Sequence, residues 1–288
     1  MHEVERVGVV GCGLMGSGIA EVAARSGCDV AVVEVSPEAA ETGLSRIRRS
    51  LDKALHAGKL DEGARQAALD RLLVTAERET LADRQIVVEA VVENEEEKVD
   101  VFGWLDKIVT SPEAVLASNT SSIPIMKLAM ATRRPDQVVG IHFFNPVPVL
   151  KLVELVTSLL TSAPTAEAAE RFATQQLGKA VIRSQDRAGF VVNALLIPYL
   201  LSAIRMLESG FATRDHIDGG MMLGCAHPMG PLALTDLIGL DTTMAVAESL
   251  YEEFKEPLYA PPPLLARMVE AGLLGRKTGR GFYEYSAS

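Results

Sequence analysis

The chain has 288 residues, 48% of them hydrophobic, enough for two domains of about 150 residues with real cores and too much for a scaffold that needs metals or disulfides to fold. Its 28 Lys and Arg against 38 Asp and Glu leave a net charge of -10, the wrong sign for a general nucleic-acid binder. Cys12, Cys28 and Cys225 stand far apart with no CxxC spacing, so neither a disulfide framework nor a structural zinc site is expected.

The opening MHEVERVGVVGCG places acidic residues ahead of the first apolar run, with no basic segment leading into an oily core, so no secretory leader is expected. From there RVGVV predicts a strand ending at Gly11, residues 14–26 a helix, DVAVVEV a strand ending near Ser36, and residues 38–71 a long helical excursion. QIVVEAVV predicts a strand over 85–92. Further strands are expected at 114–118, 137–143, 150–156 and 179–184, with helices near 95–109 and 165–177. The alternation of β-branched runs with amphipathic stretches is βαβ logic, and it predicts an α/β, Rossmann-type domain with strands buried on both faces.

After Gly189 the pattern changes. FVVNALLIPYLLSAIRMLESG predicts one long helix that Pro198 kinks or breaks, and its oily core is shorter than the roughly 20 residues of a bilayer span. IDGGMMLG, HPMGPLALTDLIGLDTTMAVAESL and PPPLLARMVEAGLLG predict shorter helices separated by Gly and Pro. The expected division is therefore a dinucleotide-binding domain over 1–185 and an all-α domain over 186–288, in a soluble cytoplasmic chain that binds neither membrane nor nucleic acid.

Gly11-Cys12-Gly13-Leu14-Met15-Gly16 lies directly after a predicted strand and directly before a helix. In that setting the first glycine allows the tight turn, the second lets backbone approach a pyrophosphate, and the third lets the helix pack closely, with its N-terminus facing the phosphates. Glu34 ends the second strand 23 residues beyond Gly11, where a carboxylate accepts hydrogen bonds from an adenosine ribose and repels a 2′-phosphate. NAD is thus favoured over NADP. FAD uses the same fingerprint, so the motif alone does not establish hydride chemistry.

In VVGIHFFNPVPVLKLVELV, His142 sits at a strand-to-loop junction and Glu154 on the next strand among apolar residues. Adjacent strands can pair the two, giving a proton-exchanging imidazole oriented by a carboxylate; a satisfied structural histidine and a solvent-facing glutamate are the alternative. On the helical excursion, Arg46, Arg49, Ser50 and Lys53 share one face by three- and four-residue spacing. That face suits a phosphate-bearing ligand, or is a salt-bridged outer helix.

GCGLMGSGIA, VVEAVVENEEEK, ASNTSSIPI, GIHFFNPVPVLKLVELV, DRAGFVVNALLIPY, HPMGPLALTDLIGLD and RKTGRGFYEY occur in an order that resembles the L-3-hydroxyacyl-CoA dehydrogenases, especially the bacterial single-function 3-hydroxybutyryl-CoA dehydrogenases. The resemblance spans almost the whole chain. It implies NAD-dependent, reversible oxidation of a 3-hydroxyacyl-CoA, with His142 as general base, Glu154 orienting it, and Ser121 and Asn193 near the substrate oxygen. It further implies cofactor contacts from Glu93, Lys98, Ser121, Asn145 and Lys277, coenzyme A contacts from Ser50 and a lysine, dimerisation through the helical domain, and a role in fatty-acid β-oxidation or butanoate metabolism. The family's coenzyme A lysine falls at Ala57 here, which leaves Lys53 or Lys59 to substitute. Two other readings stay open: a dehydrogenase of a free hydroxy acid such as a gulonate-like sugar acid, and a catalytically silent NAD-binding structural protein.

Overall fold

The computed structural model describes residues 4–285 and divides into two compact units, Met1–Arg187 and Ala188–Ser288. In the first, β1 (Arg6–Val10), β2 (Asp29–Val33), β3 (Leu72–Thr75), β4 (Ile86–Glu89), β5 (Val115–Ser118), β6 (Val138–Phe143), β7 (Leu152–Thr157) and β8 (Ala180–Gln185) form one sheet in the order 3-2-1-4-5-6-7-8. The first six strands run parallel, β7 runs antiparallel to β6, and β8 follows β7 in parallel. Val7, Val9, Val30, Val32, Val87 and Val88 are wholly buried, as both-face coverage of a parallel sheet requires. Strand order reverses at β1, so the crevice beyond the carboxyl ends of β1 and β4 is the switch point at which such sheets bind ligands.

Covering the sheet are α1 (Leu14–Arg25), α2 (Pro37–His56), α3 (Glu62–Asp70), α4 (Glu95–Ile108), α5 (Ile125–Ala129) and α6 (Ala163–Arg171). The excursion expected as helix over 38–71 is two helices. Gly58 adopts a φ of +66° after α2, and the Asp61 side chain caps α3 by accepting from the Ala64 amide at 2.7 Å. Its end flows into β3, an edge strand of four residues too short for alternation to announce. α5 was likewise unannounced, because its amides are capped from far away: Asp186 accepts from Ile125 N at 2.8 Å and Met126 N at 2.7 Å.

The second unit holds α7 (Val192–Glu208), α8 (Arg214–Gly224), α9 (Pro231–Ile238), α10 (Leu240–Phe254) and α11 (Pro263–Glu270) around Ile197, Leu201, Ile204, Leu232, Leu250 and Leu265. α7 is the one long helix expected and continues through Pro198 without a break; burial of Ile197, Leu200 and Leu201 holds the turn that proline weakens. Buried Asp236 ties the C-terminal segment to α9, accepting from Phe282 N, Tyr283 N and Tyr285 Oη, each at 2.9 Å.

Helix α2 crosses the glycine loop so closely that a Cβ on Gly43 would lie 2.5 Å from Cys12 Cβ. Gly43→Ala is expected to lower the urea unfolding midpoint, since overpacking costs about 1–3 kcal/mol and exceeds the helix-propensity gain of about 1 kcal/mol. Gly103→Ala on α4, whose added Cβ meets nothing nearer than 4.0 Å, is expected to raise the midpoint. Equal shifts in the two variants would contradict the close crossing.

Candidate active site

The turn between β1 and α1 is shaped by two steric demands. Gly11 has a φ of +89°, and a Cβ there would sit 2.8 Å from the Ala90 carbonyl oxygen; a Cβ on Gly16 would sit 1.9 Å from that of Gly11. Gly13, between them, faces open space. The first turn of α1, which includes Leu14, Met15 and Gly16, carries no acidic side chain, so its free amides and the positive end of the helix are available to an anion. A groove of about 830 Å³ runs past Gly11, Gly13, Glu34 and Val92 to Arg78, which stacks 4.7 Å above the Trp104 ring. These residues fit an extended dinucleotide, with phosphates at the loop and the adenosine ribose toward Glu34.

Glu34 is also built into the loop: its Oε1 accepts from Cys12 N at 2.5 Å and its Oε2 from Val35 N at 3.1 Å. Arg46 Nη1 donates to the Cys12 carbonyl at 2.5 Å. Burial, and then the Glu34 charge, push the Cys12 thiol up to about 12 against the opposing pull of Arg46, so it is a neutral spacer. Arg46 is therefore engaged with the nucleotide loop and does not join the exposed Arg49 and Lys53 and half-buried Ser50 as a free basic face. Ala57 is the C-cap of α2 and cannot supply a charge.

The strand reversal after β6 sets the second part of the site. His142 and Glu154 are register partners on β6 and β7, so both project from the same face of the sheet. His142 Nδ1 lies 2.7 Å from Glu154 Oε2, and its Nε2 lies 2.9 Å from Ser121 Oγ. Glu154 is 0% exposed and His142 5%. A carboxylate accepts, so the ring proton belongs on Nδ1; the Nε2 lone pair then points at Ser121, whose hydroxyl donates to it. An imidazole held this way, with an orienting carboxylate on one nitrogen and a hydroxyl on the other, has the geometry that general acid-base chemistry requires. Asn119, unmarked in the sequence, fixes the β5 end to β6 by accepting from Phe143 N at 2.9 Å.

A third cluster joins these two. Glu93 Oε1 accepts from Thr120 Oγ1 at 2.5 Å, Ser121 N at 2.8 Å, Ser122 N at 3.1 Å and Ser122 Oγ at 3.0 Å, while its Oε2 lies 3.2 Å from Lys98 Nζ. Partial desolvation pushes the Glu93 carboxyl up, but the Lys98 charge and these hydrogen bonds outweigh it and hold the group below its ordinary value. Lys98 is 1% exposed and bonds Glu89 Oε1 at 2.6 Å. The direct cofactor contact expected of Lys98 is not open to it in this conformation, because its ammonium is enclosed by carboxylates. Glu89 and Ser118, missed in the sequence, complete the cluster. A charged residue inside IVVEAVV was the signal available.

Asn145, in the loop after β6, is exposed and precedes Pro146 through a cis peptide bond. In the second unit, Asn193 lies in the first turn of α7 and is half-buried, and Lys277 pairs with Asp241 at 2.5 Å.

Residues 6–187 match the family model described as 3-hydroxyacyl-CoA dehydrogenase, NAD binding domain, and residues 189–285 match that of the 3-hydroxyacyl-CoA dehydrogenase C-terminal domain. The chain belongs to the 3-hydroxyacyl-CoA dehydrogenase family. It is 59% identical to a 3-hydroxybutyryl-CoA dehydrogenase of Mycobacterium tuberculosis over 98% of this chain and 99% of that one. It is 41% identical to the human mitochondrial hydroxyacyl-coenzyme A dehydrogenase over 98% and 91%. The crystal structure of M. tuberculosis FadB2 superposes with a TM-score of 0.98 at 58% identity, covering 99% of this chain and 100% of that one. The family assignment agrees with a glycine loop and groove at the switch point of the sheet. Among the described residues no helix is long and apolar enough to cross a membrane.

Because the folded Glu93 carboxyl titrates below its ordinary 4.5, the stability its interactions contribute is complete above that pH and is lost as pH falls through the lowered value. The stability difference between wild type and Glu93→Gln in chemical unfolding is therefore expected to be largest at neutral pH and to close on acidification below pH 4.5. A difference that widens in acid would contradict the assignment.

Proposed function

We propose that the chain catalyses the reversible NAD-dependent oxidation of a short-chain L-3-hydroxyacyl-CoA, 3-hydroxybutyryl-CoA first among them, to the 3-ketoacyl-CoA. The observation that carries this reading is the in-register His142 and Glu154 pair, with Ser121 on the second imidazole nitrogen, at the carboxyl end of the parallel strands where the glycine loop also lies. His142 Nε2 takes the proton of the C3 hydroxyl as the C3–H bond breaks and the C3–O double bond forms. NAD, when bound, accepts the hydride. Glu154 holds the ring with Nε2 forward and stabilises the imidazolium that results, and in the reverse direction His142 returns the proton. Ser121 positions the C3 oxygen; Asn193 is assigned a second hydrogen bond to it and to the thioester carbonyl.

For the cofactor we assign contacts to Gly11, Cys12, Gly13, Leu14, Met15, Gly16, Glu34, Glu93, Asn145 and Lys277, with Lys98 acting through Glu93. Ser50 and Lys53 on α2 are assigned to coenzyme A. The enzyme functions as a homodimer in the cytoplasm; exposed Leu195, Phe211 and Leu223 on the helical unit, each more than 70% accessible, support the dimer.

NADH oxidation with 3-ketoacyl-CoAs from C4 to C16 tests the reading. Acetoacetyl-CoA is expected to turn over fastest, and NADPH at least about tenfold more slowly than NADH, since Glu34 repels a 2′-phosphate. Equal rates on acetoacetate would favour a free-acid dehydrogenase. Binding of NADH, read from the single tryptophan Trp104 in the groove, with no turnover of any ketoacyl-CoA would favour a silent protein.

His142→Gln is expected to reduce the hydride-transfer rate by about 10²–10⁴, the usual worth of a general acid-base, with Tm and NADH affinity preserved. Glu154→Gln is expected to slow the same step and alter its pH profile. An unchanged single-turnover rate in His142→Gln would remove that residue from the chemistry.

A further inference from the structure

Glu89 ends β4 beside the switch point of the sheet, 0% exposed, with both carboxylate oxygens engaged. Oε1 accepts from Lys98 Nζ at 2.6 Å and Val91 N at 2.7 Å; Oε2 accepts from Ser118 Oγ at 2.6 Å. A buried ion pair of this kind is a poor source of stability, because desolvating two charges offsets most of their attraction. Its effect lies in what it holds. Ser118 Oγ, while donating to Glu89, accepts from Thr120 N at 3.1 Å. Lys98 bridges onward to Glu93 Oε2, which leaves Glu93 Oε1 to gather Thr120 Oγ1, the Ser121 amide and both donors of Ser122. The turn over residues 118–122 thus hangs on Glu89 at both ends, directly through Ser118 and indirectly through Lys98 and Glu93. Ser121 Oγ, on that turn, meets His142 Nε2 at 2.9 Å.

We infer that Glu89 is a positioning residue for Ser121: its buried carboxylate sets Ser118 and the Lys98–Glu93 bridge, and these set the serine hydroxyl against His142. The inference rests on the reading of Ser121 and His142 as the reactive pair. Glu89 touches no reactant; with NADH saturating, its effect on hydride transfer runs through Ser121.

A double-mutant cycle read by single-turnover NADH oxidation with acetoacetyl-CoA at saturating NADH tests this. Glu89→Gln is expected to slow hydride transfer on the order of tenfold to a hundredfold, the range a misplacement of about 1 Å produces. In a Ser121→Ala background the same change is expected to add less than about twofold, because the group it positions is gone. A general loss of packing would slow both backgrounds alike. Lys98 keeps its ion pair with Glu93 Oε2 in Glu89→Gln, so this variant strands no charge and is expected to keep a near wild-type Tm while showing the slow transfer. Additive losses in the cycle, or a wild-type transfer rate in Glu89→Gln, would overturn the inference. Failure of the wild-type enzyme to reduce acetoacetyl-CoA would instead overturn the proposed function itself.

Discussion

A carboxylate without access to water must be held by charge or by hydrogen bonds, and among the described residues of the first unit two such groups stand at 0% exposure, Glu89 and Glu154. Each sits on a strand that is otherwise apolar, and each pins what lies on the next strand or turn. Glu154 fixes the plane and tautomer of His142; Glu89 fixes the turn that carries Ser121. The two networks meet at one 2.9 Å contact, Ser121 Oγ to His142 Nε2. Each carboxylate is bonded on more than one side or held in strand register, so the side chains at that contact have little room to rearrange.

The reversal of direction after β6 is the topological device behind this. In a parallel continuation, a crossover of a dozen or more residues would separate the partner strand from β6. The antiparallel return needs only residues 144–151, and it puts Glu154 directly opposite His142 with side chains on the same face. Lys179 secures the connection by donating to the Val147 and Leu150 carbonyls at 2.5 and 2.8 Å. A mostly parallel sheet supplies the crevice at the switch point, and one reversed strand supplies the carboxylate that orients His142.

Much of this was legible in the sequence because the signals were local. VGVV followed by GCGLMG reads as strand, turn and helix whatever surrounds it, and the all-helical second unit follows from the loss of strand patterning after Gly189. His142 and Glu154 could be proposed as a pair, but spacing alone did not give their register; the hydrogen-bonded partner fixes that. The misses share a cause. β3 is four residues at an edge and α5 is capped by Asp186 some 60 residues away, contacts that no window of sequence displays; Lys98 is paired with a carboxylate only nine residues earlier, but which way its side chain turns is set by packing, not by spacing. Arg46 looked like part of an outer basic face because helical spacing says which residues are neighbours, not which of them bends inward to the Cys12 carbonyl.

The net charge of -10 first suggests a poor partner for a dinucleotide and for coenzyme A, both polyanions. Screening over about 8 Å at physiological ionic strength makes the local arrangement decide instead. The first turn of α1 is free of acids, and the one carboxylate near it, Glu34, is occupied by the amides of Cys12 and Val35, with Arg46 placed on the other side of the same loop. Glu93 and Glu89 are paired with Lys98, and Asp106 with Arg133 and Arg134. The acids beside the glycine loop are thus bound to backbone amides or cations, while the exposed Glu97 and Asp100 line the groove away from it. What a phosphate meets at the loop is the amide-lined end of a helix, so an acidic chain can hold an anion where its own carboxylates are already engaged.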